Sequence, residues 1–315
     1  MTSIAFPPVF LPDPMNLPSL PSPLVELAAD LAPRLGYNDT PFPGIRILRS
    51  DTNLEDVPVL YRPGAVFVLQ GAKQGFFNDQ VYLYDTDHYL AISIPVPFRM
   101  ASQANPEHPL LAVYLDFDLH LAAEIAQALV GQIGRNERVR AQSLISSRMT
   151  PSIANVLQRL LHALHHPQEF AILGPGLLRE LHYRVLIGPQ GEALMAALRG
   201  NDMADRIVPS LTLIRERYAE RLSVAELATA AGMSGSSYHA DFKSLTGITP
   251  IQYIKALRLH EARLMVARRQ GSIAMIATQV GYVSPAQFSR DFKRHFHRSP
   301  TEEARWMRRH LGEPV

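Results

Sequence analysis

The chain has 315 residues, room for about two domains, and its 47% hydrophobic and 19% charged side chains are typical of a globular protein. It contains no cysteine, which excludes disulfides, thiolate metal sites and cysteine nucleophiles and fits a reducing compartment. The net charge of +2 is uneven, because residues 205–315 carry 17 basic and 10 acidic side chains, and a basic C-terminal third is typical of a nucleic-acid-binding module.

The N-terminal segment is crowded with prolines, which deprive helices and strands of backbone donors. Residues 1–35 are therefore expected to form an extended, proline-rich arm followed by a short helix. The segment lacks the basic start and apolar run of a secretion signal, and no apolar stretch of the chain reaches 18 residues. We therefore expect a cytoplasmic protein.

Residues 40–118 are predicted to be rich in β-strands. Short runs of β-branched and aromatic residues at 66–69, 81–84, 89–92 and 111–115 are separated by turn residues. Several short strands with regular turns predict a small barrel or sandwich. From residue 119 to residue 200 the apolar residues recur at helical spacing.

The interior of this barrel is the candidate site for a small molecule. Alternation would turn inward one set of the following side chains: Tyr61, Phe67, Leu69, Tyr82, Tyr84, Tyr89 and Ile92. They either fill the barrel as core or line a cavity for an uncharged, partly apolar ligand. Barrel enzymes that bind a metal need an H-x-H pair with Glu and a distant His, and only His88, His108 and His120 are present here. We therefore expect no metal, no other cofactor and no catalysis.

An apolar stripe marks the helix predicted around residues 153–164. Its members are Leu157, Leu160, Leu161 and Leu164. The stripe either packs internally or forms the seam of a homodimer. His162, His165 and His166 border it, either as a solvated edge or as a pH- or metal-sensitive cluster.

An internal repeat organises the C-terminal third. Residues 224–233 match residues 273–282 at an offset of 49, and residues 238–243 match residues 288–293 at an offset of 50. Each copy has apolar residues at helical spacing, and a glycine follows its first helix. The repeat predicts two helix-turn-helix units, at 223–246 and 272–296, with the extra residue of the second unit in its turn.

A linking helix is predicted between the two units, at residues 250–269. Thr249-Pro250 supplies a cap followed by proline at the first helical position. A helix of about 20 residues is about 30 Å long, close to the ~34 Å between successive major-groove faces. One chain would then present its two recognition helices to two adjacent half-sites.

The run from Gly281 to Phe296, followed by Ser299-Pro300, resembles the signature of the AraC/XylS family of regulators. The resemblance covers residues 207–309 and implies an all-α DNA-binding domain at 205–315. Motifs at 40–46, 61–63, 68–71, 174–184 and 188–191 resemble the N-terminal domain of one AraC-type branch. They imply an α+β chain in which residues 36–200 form a cupin-like barrel and helices for effector sensing or dimerisation. The resemblance also implies RNA polymerase as a partner.

The resemblance places base contacts on the outward face of the second helix of each unit. These outward positions, with one lysine from each helix, are Ser236, Ser237, His239, Ala240, Lys243, Ala286, Gln287, Ser289, Arg290 and Lys293. Arginine pairs well with guanine and glutamine with adenine, so Arg290 and Gln287 are the expected base readers. Lys243 and Lys293 are expected to hold phosphate. For each residue the alternative is a solvated side chain.

One position departs from the family pattern. The first unit has Gly247 after its second helix, whereas the second unit has His297. If that position requires a positive φ, histidine is one of the better substitutes for glycine but is still strained.

These patterns predict a regulator, with the family's leaning towards activation, that binds double-stranded DNA in a sequence-specific manner and senses a small molecule through its barrel. Two alternatives are open to the same sequence. One is an enzyme or a ligand-binding cupin-like protein that carries a DNA-binding tail, and the missing metal-binding pattern argues against the enzyme. An architectural DNA-binding protein is disfavoured because the two recognition surfaces differ.

Overall fold

A computed structural model describes residues 22–129, 142–189, 191, 194 and 203–311. Most of the proline-rich arm (residues 1–21) and the predicted domain boundary (195–202) lie outside the described residues. The fold is α+β, as predicted: antiparallel sheets and helices in the N-terminal part precede an all-helical C-terminal part. Among the described helices, none is both long and apolar enough to cross a membrane.

The N-terminal part contains ten described strands in two antiparallel sheets. The strands are β1 (Gly36–Asp39), β2 (Ile45–Ser50), β3 (Leu54–Leu60), β4 (Gly64–Gln70), β5 (Ala72–Phe77), β6 (Gln80–Tyr84), β7 (His88–Ile92), β8 (Pro97–Gln103), β9 (Leu110–Asp116) and β10 (Leu144–Arg148). The larger sheet has the order β1-β2-β9-β4-β7-β10 and the smaller has the order β3-β8-β5-β6. In the pairing of β2 with β9, Ile45 lies opposite Leu115.

The two sheets form an open, cupin-like sandwich, so of the two expected architectures the sandwich is observed and the closed barrel is not. Gly71 shows how the chain changes sheets. It connects β4 of the larger sheet to β5 of the smaller one with φ +85°, and a Cβ there would lie 3.0 Å from the carbonyl oxygen of Gln103. Only glycine makes so sharp a corner without strain.

Four helices with described bounds accompany the sandwich: α1 (Ser22–Leu31), α2 (Leu119–Ala128), α3 (Pro151–Leu164) and α4 (Pro167–Leu186). They pack against one face of the larger sheet, whose other face packs on the smaller sheet. The leucine stripe of α3 belongs to this core, with Leu157, Leu160 and Leu161 fully buried. The stripe therefore packs internally.

The described residues of the C-terminal part, 203–311, form seven helices. They are α5 (Met203–Arg217), α6 (Val224–Ala230), α7 (Gly235–Thr246), α8 (Pro250–Ala267), α9 (Ile273–Gln279), α10 (Pro285–Phe296) and α11 (Pro300–His310). Helix α8 is the linking helix, and it ends two residues before its predicted end at residue 269. The helix is buried along most of its length because it packs into both helix-turn-helix units.

The C-terminal helices lie directly on the N-terminal sandwich, and one apolar core runs through both parts. Polar contacts join them as well. Tyr253 of α8 donates from its hydroxyl to the carbonyl oxygen of Pro95 at 2.8 Å. Ser143 donates from Oγ to the carbonyl oxygen of Leu245 in α7 at 2.7 Å. Helices α7 and α8 are thus in direct contact with the segments that flank β7, β8 and β10.

Candidate nucleic-acid interface and sensor cluster

The first helix-turn-helix unit is built from local signals. Ser223 and Glu226 form a capping box that opens α6, in which each side chain bonds to the other residue's backbone N–H. Gly232, with φ +62°, ends this segment and lets the chain turn towards α7. Tyr238 and Phe242 of α7 are fully buried, so the residues between them face outward.

The second unit repeats this construction. Ser284 caps α10 by accepting a hydrogen bond from the backbone N–H of Gln287, and Phe288 and Phe292 are fully buried. His297 follows α10 with φ 61°, the left-handed conformation that Gly247 adopts after α7 with φ +76°. The histidine therefore occupies the position where a glycine would be unstrained.

The ten predicted DNA-contacting residues lie on the outward faces of α7 and α10. All of them are exposed except Ser289, which is half-buried. Ser237 also contributes its hydroxyl to the cap of α7, 3.1 Å from Ser234 Oγ. Within the described part of the chain, no carboxylate lies within ion-pair distance of Lys243, Arg290 or Lys293, although Lys293 interacts electrostatically with the exposed Glu302 of α11. These cations therefore remain available to a polyanion.

The acidic residue of α10 does not cancel this positive surface. Asp291 is buried; its Oδ2 forms an ion pair with Lys255 Nζ of α8 at 2.6 Å, and its Oδ1 accepts a hydrogen bond from Arg294 Nη2 at 2.5 Å. Its charge is therefore compensated within the protein. Arg294 is held in this ion pair, whereas Arg290 and Lys293 of α10 have no carboxylate within ion-pair distance among the described residues.

The seven residues predicted to line a ligand site fall into three environments. Tyr61, Tyr84 and Ile92 pack in the core between the two sheets. Phe67, Leu69 and Tyr89 lie on the opposite face of the larger sheet, against the helices. Tyr82 is half-buried. The assignment of these residues to a ligand site stays a prediction, but the structure does not bring them together.

A polar cluster lies between the sheets instead, and sequence reasoning missed its central member, Lys73 of β5. Lys73 is fully buried and donates from Nζ to the hydroxyl of Tyr114 at 2.8 Å. Its ammonium group lies 5.7 Å from the ring centroid of Tyr84 and 5.5 Å from that of Tyr114. The hydroxyl of Tyr61 lies 3.4 Å from that of Tyr114. We call Lys73, Tyr61, Tyr84 and Tyr114 the sensor cluster.

The sensor cluster has unused hydrogen-bonding capacity and lacks a counter-charge. Burial alone lowers the pKa of Lys73 to about 7, because no described carboxylate is close enough to stabilise the ammonium ion. Burial likewise raises the pKa of Tyr84, whose buried hydroxyl has no well-aligned partner among the described residues. Buried polar groups without partners are costly, and an acceptor between Lys73 and Tyr84 would relieve that cost.

Comparison with known families identifies both parts of the chain. A family model described as the AraC-type transcriptional regulator N-terminus matches residues 41–193, and a helix-turn-helix domain model matches residues 227–306. The chain belongs to the AraC family of transcriptional regulators. The helix-turn-helix domain match begins within α6 and ends within α11, so it includes the linking helix α8.

Similar proteins of the AraC family agree with this assignment. The probable transcriptional regulator LumQ of Photobacterium leiognathi is 39% identical over 28% of this chain and 36% of its own length. The transcriptional activator RhaS of Yersinia pestis (strain Pestoides F) is 32% identical over 33% of this chain and 38% of its own length. The chain thus spans little more than a third of the length of these two relatives.

A structural similarity extends over most of the chain. ToxT of Vibrio cholerae strain SCE256, solved with a bound unsaturated fatty acid, superimposes with a TM-score of 0.54. The match covers 82% of this chain and 94% of ToxT at 12% sequence identity. At that identity the similarity shows a shared fold alone: a sheet-rich N-terminal part followed by a helical C-terminal part.

Proposed function

We propose that this protein is a transcription regulator that recognises a specific duplex DNA sequence through α7 and α10. The supporting observation is that each helix-turn-helix unit presents one outward helix face with exposed cations, and that the packed helix α8 joins the two units. The 18 residues of α8 span about 27 Å, so the two faces are held at a distance comparable to one turn of DNA. Arg290 is assigned to a guanine and Gln287 to an adenine.

Selection from a random-sequence duplex library with the purified protein tests this function. We expect enrichment of two short conserved motifs centred about one helical turn (10–10.5 base pairs) apart. The same selection is then repeated with the Arg290→Ala variant. If one base pair of one motif is no longer conserved, α10 is the helix that binds that motif. A library that shows no enrichment, although the protein binds duplexes, would contradict the proposal in favour of an architectural role.

A second part of the proposal concerns the effect of DNA binding on transcription. RhaS is named as an activator, and we propose activation, with contact to RNA polymerase, for this protein as well. Transcription in vitro from a promoter carrying the selected sequence, with and without the protein, tests the sign of regulation. A decrease in transcript would contradict activation.

We further propose that the sensor cluster binds the carboxylate of a small molecule with an apolar body. The sequence alone suggested an uncharged ligand, but the buried Lys73 lacks a counter-ion that a carboxylate would supply. The apolar surroundings between the sheets, including Phe98 and Met100, suit the remainder of such a ligand. ToxT has been solved with an acid of this kind, an unsaturated fatty acid.

Oleate is a suitable probe, and oleyl alcohol is its control without the charge. We expect oleate to raise the melting temperature of the parent protein, oleyl alcohol to raise it much less, and Lys73→Met to abolish the difference. Equal shifts for acid and alcohol, or a shift that survives in Lys73→Met, would contradict a carboxylate site at Lys73.

A further inference from the structure

The two helix-turn-helix units meet at the guanidinium of Arg258, in the middle of the linking helix α8. Arg258 donates from Nε to the carbonyl oxygen of Tyr218 at 2.6 Å and from Nη2 to that of Glu220 at 2.6 Å. It donates from Nη1 to the carbonyl oxygen of Gly281 at 2.9 Å. Tyr218 and Glu220 belong to the connection between α5 and α6 in the first unit, whereas Gly281 belongs to the turn of the second unit.

The backbones of the two units touch at the same place. Gly281 has φ +87°, and a Cβ on this residue would lie 2.3 Å from the carbonyl oxygen of Ala219. The ring of Tyr218 packs against the apolar cores of both units. The segment from Tyr218 to Glu220 therefore fills the space between the units, and Arg258 holds it against the turn that precedes recognition helix α10.

The chemistry of arginine suits this role. Its planar guanidinium presents donors in fixed directions, so three carbonyl groups bound to it are fixed relative to one another. Arg258 is half-buried, which strengthens hydrogen bonds to carbonyl oxygens relative to those in water. The first unit packs on the early turns of α8 through Tyr253 and Leu257, and the second on later turns through Ala262 and Val266. Arg258 adds a direct link between the units.

We propose that Arg258 is a positioning residue that fixes the two recognition helices relative to each other, so that DNA affinity depends on the spacing between the two half-sites. The spacing part of this inference rests on the proposed function, because it requires that both helices bind DNA. The positioning part does not, since it concerns the geometry of the free protein. The two parts call for two measurements.

The distance between the units can be measured by pulsed electron paramagnetic resonance, because the chain has no native cysteine to interfere with spin labelling. Ala230 and Gln279, at equivalent positions of α6 and α9, are both exposed and suit labelling as Ala230→Cys and Gln279→Cys. We expect a narrow distance distribution in the labelled parent and one at least twofold wider after Arg258→Ala. An unchanged width would overturn the positioning role.

Two further variants separate positioning from folding and charge. Arg258→Lys keeps the positive charge but cannot bind all three carbonyl groups in fixed directions. We therefore expect a distance distribution of intermediate width. Arg305→Ala removes an exposed arginine of α11 that lies away from this contact, and we expect the parent's width. If Arg258→Ala unfolds, as circular dichroism would show, Arg258→Lys decides the question: a parent-like width would overturn the proposal.

DNA binding then tests the consequence. On the duplex selected by the parent, insertion of one base pair between the half-sites is expected to weaken parent binding at least tenfold and Arg258→Lys binding less than threefold. Equal penalties for parent and variant would overturn the link to spacing even if the distance distribution widens. A parent that shows no sequence preference would overturn the proposed function and the spacing dependence, while the distance measurement would still decide the positioning role.

Discussion

Arg263 of the linking helix α8 donates from Nη1 to the carbonyl oxygen of Pro58 in β3, at 3.0 Å. The same guanidinium donates from Nε to Glu303 Oε1 of α11 at 2.7 Å and lies 4.9 Å from the ring centroid of Phe296 in α10. One buried cation therefore contacts the N-terminal sheet, the linking helix and the last two helices. Because a buried arginine is tolerated only when its charge and donors are matched, the position of the sheet is coupled to that of the second unit.

Glu303→Gln is expected to destabilise the protein strongly. Glu303 is almost fully buried and pairs with both Arg263 and Arg298, so neutralising it leaves buried positive charge without a partner. Breaking a buried pair from one side typically costs about 3–5 kcal/mol. The loss is measured as a lower denaturant midpoint for the C-terminal helices, followed by the fluorescence of the single tryptophan, Trp306.

The double variant Arg263→Met/Glu303→Leu is the control for that prediction. Replacing a buried ion pair by apolar residues of similar size is often neutral or stabilising, so the double variant should recover most of the loss. A single variant as stable as the parent would show that this pair contributes little to the fold. A double variant as unstable as the single one would show that the loss does not come from an unpaired charge.

Arg290→Ala is expected to weaken binding to the selected duplex by about 1–3 kcal/mol and to relax the preference at one base pair. Arg290 is exposed on α10 and has no described carboxylate partner, so its guanidinium is available to a base edge. Affinity for the selected duplex and for a scrambled duplex should be measured at one salt concentration. Equal losses on both duplexes would assign Arg290 to the phosphate backbone.

Lys293→Ala is expected to weaken binding to selected and scrambled duplexes alike. The ammonium group of Lys293 is exposed near the end of α10, and phosphate contacts carry no sequence information. Loss of one phosphate contact should reduce the slope of log affinity against log salt by about 1. Binding isotherms at four salt concentrations measure this slope. A slope equal to that of the parent would exclude a phosphate contact.

The helix-turn-helix units could be predicted closely because their signals are local. The capping box of Ser223 and Glu226 lies within one helical turn, and Gly232 and Gly281 mark where the first helices end. These signals placed the helices within about two residues of their observed ends. The alignment of His297 with Gly247 raised a positive φ only as a condition, and both residues have one in the structure.

The sensor cluster could not be predicted in the same way. The strand β4 is buried on both faces, so its apolar residues do not alternate with polar ones. The sequence therefore gave no sign that Phe67 of β4 faces the helices, whereas Tyr84 of β6 faces the space between the two sheets. A single lysine in a strand usually indicates a solvated face. The burial of Lys73 depends on packing against Tyr114, which lies 41 residues away in the chain, and only the tertiary structure supplies that contact.

The buried lysine predicts a pH dependence of stability. In the folded protein the pKa of Lys73 is about 7, whereas in the unfolded chain it returns to its usual value of 10.5. Between these pH values the unfolded chain binds one more proton than the folded protein, so the free energy of unfolding increases with pH. The burial penalty is therefore complete below pH 7 and is lost as the pH rises, with a slope of at most about 1.4 kcal/mol per pH unit.

Lys73→Met removes this dependence and is expected to stabilise the ligand-free protein most at pH 7 and progressively less towards pH 9.5. The measurement is the free energy of unfolding in denaturant at several pH values in that range. The range stops short of pH 10 because burial raises the pKa values of Tyr84 and Tyr114. Above pH 10 the unfolded tyrosines lose protons that the folded ones keep, so the free energy of unfolding falls with pH. Lys243→Met, which removes an exposed lysine, should leave the pH dependence of the parent unchanged. Parallel pH curves for the parent and Lys73→Met would show that Lys73 keeps an ordinary pKa, and the case for an anionic ligand in the sensor cluster would then lose its electrostatic basis.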